Sequence, residues 1–258
     1  MPSPLAHPAA SIPFTKAGLV FSALVIGSIA PDFWYVFRVG SDYFAYSLPG
    51  LFLFDLPVGL ILLVLFHILA KWPLLSLLPQ GWQRRLYKHA QGFTWGPVKR
   101  FGLILLSLLV GSITHIILDS FTHEYGWMVE HFSFLSSLIS GIPLYGILQN
   151  LGTLVGLGLL VYWFIRWLPK EPQGDLLPAR FSFKVKAMFA GLAFISIALV
   201  DGGIFYARHV SRTVHAQFRM FSFAGLIFST GILVVFFAGL YCIAWMLVFH
   251  KTLRRASG

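Results

Sequence analysis

The chain has 258 residues, 57% of them hydrophobic and 11% charged, with a mean hydropathy of +0.79. A soluble chain of this length would carry roughly a quarter charged residues, so a soluble globular domain is excluded. The 19 Lys and Arg against 9 Asp and Glu could suggest a nucleic-acid binder, but the basic clusters alternate with apolar runs of membrane-crossing length, which points to a multi-span membrane protein with a cationic cytoplasmic face.

The first apolar stretch, about 17–38, is interrupted by Pro31 and Asp32 and reaches spanning length only if the residues after them continue the helix. The prolines that precede it leave no signal-peptide order of charged and apolar regions. Five further stretches, about 51–70, 101–122, 146–167, 185–206 and 220–249, are each long enough to cross a bilayer. Between the first two of these, 72–98 is too polar to span and sets Trp72, Trp82, Tyr87, Phe93 and Trp95 among cations, the pattern of an interfacial hairpin on the inner leaflet. Gly152 and Gly156 form a small-xxx-small pair suited to close helix packing. The lone cysteine, Cys242, excludes a disulfide framework, a zinc finger or an iron–sulfur site within one chain.

Cations set the orientation. Residues 71–100 carry six and 166–186 carry five, Lys251, Arg254 and Arg255 lie in the tail, and 123–145 carries none, which places the C-terminus in the cytoplasm. The expected fold is all-α: a polytopic membrane helix bundle of five or six spans with an interfacial helical hairpin, one membrane-embedded domain over 1–258. Its expected partners are membrane lipids and not nucleic acid.

This orientation puts seven acids on the outer side, and four of them, Asp32, Asp55, Asp119 and Asp201, sit in or near the ends of separate apolar stretches. Acids there usually face a bundle interior, a partner or a water-filled cavity, so the four could converge on one polar pocket. The sharpest local pattern is THIILDSFTHE, in which His115, Asp119 and His123 recur every four residues along one helical stripe, at heights about 6 Å apart. The outer two, about 12 Å apart, cannot share one ion, so a metal site requires Asp119 as the central ligand. Histidine with carboxylate suits zinc, manganese or iron. The competing reading is a polar helix end where His115 bonds a neighbouring span and His123 meets water. Asp55, just before Pro57, is either a catalytic or metal-supporting carboxylate beside Asp119 or a partner for backbone groups freed by the proline. Arg208 and Arg212 follow Asp201 and match a phosphate geometrically, against the alternative of a solvated loop or an Asp201–Arg208 pair.

The blocks HPAASIPF, SALVIGSIAPDF, SLPGLFLFDLPVGL and THIILDSFTH together resemble, over essentially the whole chain, the bacterial membrane-protein family catalogued as domain of unknown function 4184. That resemblance implies a bacterial inner-membrane location. More remotely the pattern is similar to the all-helical zinc-dependent phospholipase C and P1 nuclease group. By that resemblance the zinc ligands would be His7, Asp32, His115, Asp119 and His123, with Asp119 bridging. Tyr46 departs from the family pattern, where His is common, and no second His-x-x-x-Asp follows downstream, so one or two zinc or other divalent transition-metal ions are implied. If His7 ligates at the outer face, the first apolar stretch is buried or re-entrant and five spans cross. The resulting expectation is a metal-dependent hydrolase of a lipid or polyprenyl-phosphate headgroup, with Asp119 and Asp55 catalytic and Arg208 and Arg212 on the phosphate. The alternatives are a proton- or cation-coupled transporter and a non-catalytic scaffold.

Overall fold

The computed structural model describes residues 4–34, 44, 46–175, 181–210 and 236–249, with the side chains of 197–210 left out. The main helices are α1 (Phe21–Gly27), α2 (Leu56–Leu65), α3 (Lys71–Leu77), α4 (Gln80–Gln91), α5 (Val98–Thr122), α6 (Leu144–Trp167), α7 (Phe183–Val210) and α8 (Phe236–Phe249). A two-residue antiparallel ladder, β1 (Leu138–Ile139) with β2 (Ile142–Pro143), joins α5 to α6 after a short helix at Trp127–His131. Among the described residues, three helices are long and apolar enough to cross a membrane: Leu48–Leu77, Val98–His131 and Leu144–Lys170. Those at 101–122 and 146–167 fall where the apolar runs place them, because a helix pairs all its backbone groups internally and so tolerates an apolar medium. Much of the stretch 220–249 lies outside the described residues.

The chain divides into two compact units, residues 1–66 with 91–172 and residues 67–90 with 173–258. In the first, the N-terminal residues form short helical turns ended by Gly18, whose φ of 80° an L side chain would resist. The first apolar stretch contributes α1, seven residues and about 10 Å long, which by itself falls short of crossing a bilayer. It is instead buried, with Ala23 and Leu24 fully enclosed.

α1 lies unusually close to α5. A Cβ at Gly27 would stand 2.2 Å from the Leu108 carbonyl oxygen, and one at Gly111 would stand 2.4 Å from that of Leu24. Two serines on α5 satisfy the polar groups that this approach brings together: the Val20 amide donates to Ser107 Oγ at 2.8 Å, and Ser112 Oγ donates to the Gly27 carbonyl at 3.0 Å. Val20, Ala23, Ile26, Leu63, Ile104 and Leu108 complete this core. Of the glycine pair on α6, Gly156 makes the close contact, its Cβ position 2.9 Å from Ala6 O, whereas nothing lies within 4 Å of a Cβ at Gly152.

The stretch expected as one interfacial hairpin divides between the units. Phe93 and Trp95 pack on the core just described, while α3 and α4 belong to the second unit. There Leu75, Tyr87, Tyr241 and Trp245 form the core, and the buried Ser76 and Tyr241 hydroxyls share a 2.8 Å hydrogen bond.

Candidate metal centre

The last two turns of α5 carry His115 and Asp119 on the face turned to α1, both at most 2% exposed, and His123 follows where the helix ends in extended backbone. His115 Nδ1 lies 2.8 Å from the Ser28 carbonyl oxygen. A carbonyl only accepts, so Nδ1 carries a proton and Nε2 is the ring atom left to face the rest of the site. Nε2 faces two carboxylates: Asp119 Oδ2 at 3.0 Å and Asp32 Oδ1 at 3.7 Å. Two carboxylates converging on one buried ring nitrogen favour a positive charge between them, a proton on Nε2 or a metal ion. Asp32 reaches this position from the tight turn that Pro31 starts after α1, where the Phe33 and Trp34 amides bond back to Ala30 and Pro31.

His7 arrives from the N-terminal segment, which sits against α6 through the Ala6–Gly156 approach. Its ring stacks on His115 with centroids 3.9 Å apart, and its Nε2 lies 3.5 Å from Asp119 Oδ1. The side chain is 2% exposed and neither ring nitrogen has a hydrogen-bond partner. Burial, helped by His115, holds the His7 imidazole down to about 4, so at neutral pH it is uncharged and able to ligate. One ligand atom each from His7, Asp32 and His115 lie within 4.8 Å of one another, a spacing that one metal ion can bridge.

Asp119 stands beside this triad as the link to His123, whose Nδ1 is 3.5 Å from Asp119 Oδ1 and whose Nε2 has no partner. Asp119, expected as the central ligand, stands next to this triad and not within it, and His115 makes the hydrogen bond to a neighbouring segment that the competing sequence reading gave it. Asp55 is fully buried in a π-helical turn, Leu51–Asp55, and neither carboxylate oxygen has a hydrogen-bond partner. It is near enough to His115 to interact electrostatically. The side chains of Asp201 and Arg208 are not among those described, and Arg212 lies outside the described residues.

Tyr46 was given no role by the sequence, yet its hydroxyl donates to Asp119 Oδ2 at 3.1 Å and its ring lies 6.2 Å from those of His115 and His123. This bond occupies Oδ2 and leaves Oδ1 toward His7 and His123. Tyr46→Phe should therefore weaken metal binding by about tenfold without unfolding the protein, the cost usual for a residue that orients a ligand; competition with a fluorescent chelator measures it.

A family described as "Domain of unknown function (DUF4184)" matches residues 1–249. No curated protein and no solved structure matches the chain. Since the matched stretch takes in nearly the whole sequence, and every residue of the centre with it, the chain belongs to that family.

Proposed function

We propose that the protein is a membrane-embedded, metal-dependent phosphoester hydrolase acting on a lipid or polyprenyl-phosphate headgroup at the outer face. One observation carries this reading: the unshared nitrogen of His115, the carboxylates of Asp32 and Asp119 and the unpartnered nitrogens of His7 converge in a buried space, an arrangement a divalent transition metal would stabilise. Its donors are those that the resemblance to the zinc-dependent group implies. A bound metal would lower the pKa of a coordinated water and polarise the phosphoryl oxygen.

The protein's own groups do the rest. Asp119, steadied by Tyr46, holds the ligand set together. As the water oxygen bonds to phosphorus and the ester oxygen leaves, Asp55 takes the proton released by the water and returns it to the leaving oxygen. A lipid-borne substrate is supported by the segment that follows the centre, where Tyr125, Trp127, Phe132 and Phe134 are all exposed and no cation occurs, as at a membrane interface.

The test is hydrolysis of phosphatidate and polyprenyl diphosphate by detergent-purified protein. Turnover should vanish on chelation and return with zinc or manganese, and Asp55→Asn should lower kcat on the order of 100-fold while metal content stays constant. A protein without stoichiometric metal sinks the reading. A second reading, proton- or cation-coupled transport, is favoured by Asp55 itself, a buried carboxylate without a partner in a helix long enough to span. Proteoliposome flux abolished by Asp55→Asn in a metal-free protein would select it.

A further inference from the structure

The second unit contains a cavity of about 370 Å³ bordered by the starts of two helices. Gln80 opens α4 and Ser182 and Phe183 open α7, and all three line it. The first amides of a helix have no acceptor within it and carry the positive end of its dipole, so two such ends at one cavity favour an anion. Lys186, one turn into α7, lines the same space, and among the described residues no carboxylate does.

A second observation is independent of the helix ends. Gln83 also lines the cavity and is 1% exposed. Its Nε2 donates to two carbonyls, Leu78 O at 2.8 Å and Ser76 O at 3.2 Å, which fixes which end of the amide is nitrogen. Oε1 is left buried with no hydrogen-bond partner. An anion without an O–H group cannot satisfy an acceptor; a ligand that also carries a hydroxyl can.

Position narrows the ligand further. The cavity begins at Leu78, directly after a helix long and apolar enough to cross a membrane, and continues to the first residue of the apolar α7. Leu77, Trp82 and Phe183 are exposed around it, and Arg84, Lys88 and Lys184 are exposed cations on the same two helices. Apolar rim, cations and a polar floor at the end of an apolar helix match the headgroup level of a bilayer.

We propose that this cavity binds the phosphate of a hydroxyl-bearing phospholipid headgroup of the glycerol or inositol type. The phosphate meets the α4 and α7 amides and Lys186, the hydroxyl donates to Gln83 Oε1, and the acyl chains run along the exposed apolar rim. The site is independent of the His/Asp centre and of any reaction there.

Thermal unfolding of the full-length protein in detergent, titrated separately with dioctanoyl phosphatidylglycerol, dioctanoyl phosphatidylcholine and inorganic phosphate, tests it. A saturable rise in Tm is expected with the glycerol lipid, with the choline lipid and inorganic phosphate at least about tenfold weaker. Lys186→Met removes one charge. Ser182→Asp keeps a good helix cap, so the protein folds, while setting a carboxylate against the phosphate. Each variant should weaken the glycerol lipid about tenfold or more, and Asp119→Ala should leave it unchanged. Inorganic phosphate stabilising as strongly as the glycerol lipid would overturn the lipid assignment. Equal response to both lipids, or an unchanged response in Ser182→Asp, would overturn the site.

Discussion

Purified Asp119→Ala should contain no more transition metal than a detergent blank, where the unaltered protein should hold at least one ion per chain. Asp119 is the group on which the others depend: His115 Nε2 is 3.0 Å from one of its oxygens, and His7 and His123 are each 3.5 Å from the other. Alanine there leaves three histidines without their shared carboxylate. The loss in metal affinity should exceed the roughly 10- to 100-fold typical of a residue that merely orients a ligand. Asp119→Asn keeps the shape and one acceptor oxygen but not the charge, and should fall between. His123, which is 21% exposed and touches the triad only through Asp119, should matter least, with His123→Ala losing about tenfold. Elemental analysis of the three variants ranks them, and equal metal content in all would show that Asp119 holds no ion.

Gly111→Ala should be among the most destabilising single changes in the chain, although it adds one methyl group. The added Cβ would meet Leu24 O at 2.4 Å and Ser28 N at 2.7 Å, both of them backbone, so no side-chain rotation relieves the clash. α1 would have to move off α5, at a cost at the upper end of overpacking, about 3 kcal/mol. Ser28 supplies the carbonyl that fixes the His115 ring, so the same displacement should also reduce metal content. Gly27→Ala meets Leu108 O at 2.2 Å and should behave alike, and the two changes should not add, since they disturb one contact. Gly152→Ala is the control. Nothing lies within 4 Å of its Cβ, and replacing a helical glycine there should stabilise by up to ~1 kcal/mol. Thermal unfolding in detergent separates the three.

The legible features of this chain were those that depend on neighbours in sequence. Apolar runs of about twenty residues announced the helices around 101–122 and 146–167, because length and composition are all that such a helix needs. The four-residue spacing of His115, Asp119 and His123 put them on one face by helix geometry alone. His7 came from resemblance alone, since nothing local ties residue 7 to residue 115, whereas Asp32 was already one of the four acids expected to converge and took only its ligand role from the resemblance. Tyr46 stayed hidden for the same reason: its bond to Asp119 joins residues 73 apart. The division into two units was illegible because hydrophobicity loses its meaning in such a chain. In a soluble protein an apolar residue points inward, but here Leu154 and Leu159 on α6 are as apolar as the fully enclosed Leu63 and Leu108 and yet are exposed. For α1 against α5 the informative residues were glycines and serines, which composition scarcely registers.

The docking of Ala6 against Gly156 also sets an order of events in time. His7 leaves the ribosome well ahead of the surface that seats it, which is made some 150 residues later, with α6. Until that helix is in place the N-terminal segment has lost one of the two walls that hold its imidazole beside His115. The centre is therefore completed only once α6 has been synthesised, and a nascent chain halted before α6 should be unable to retain a metal ion however well its earlier helices have inserted.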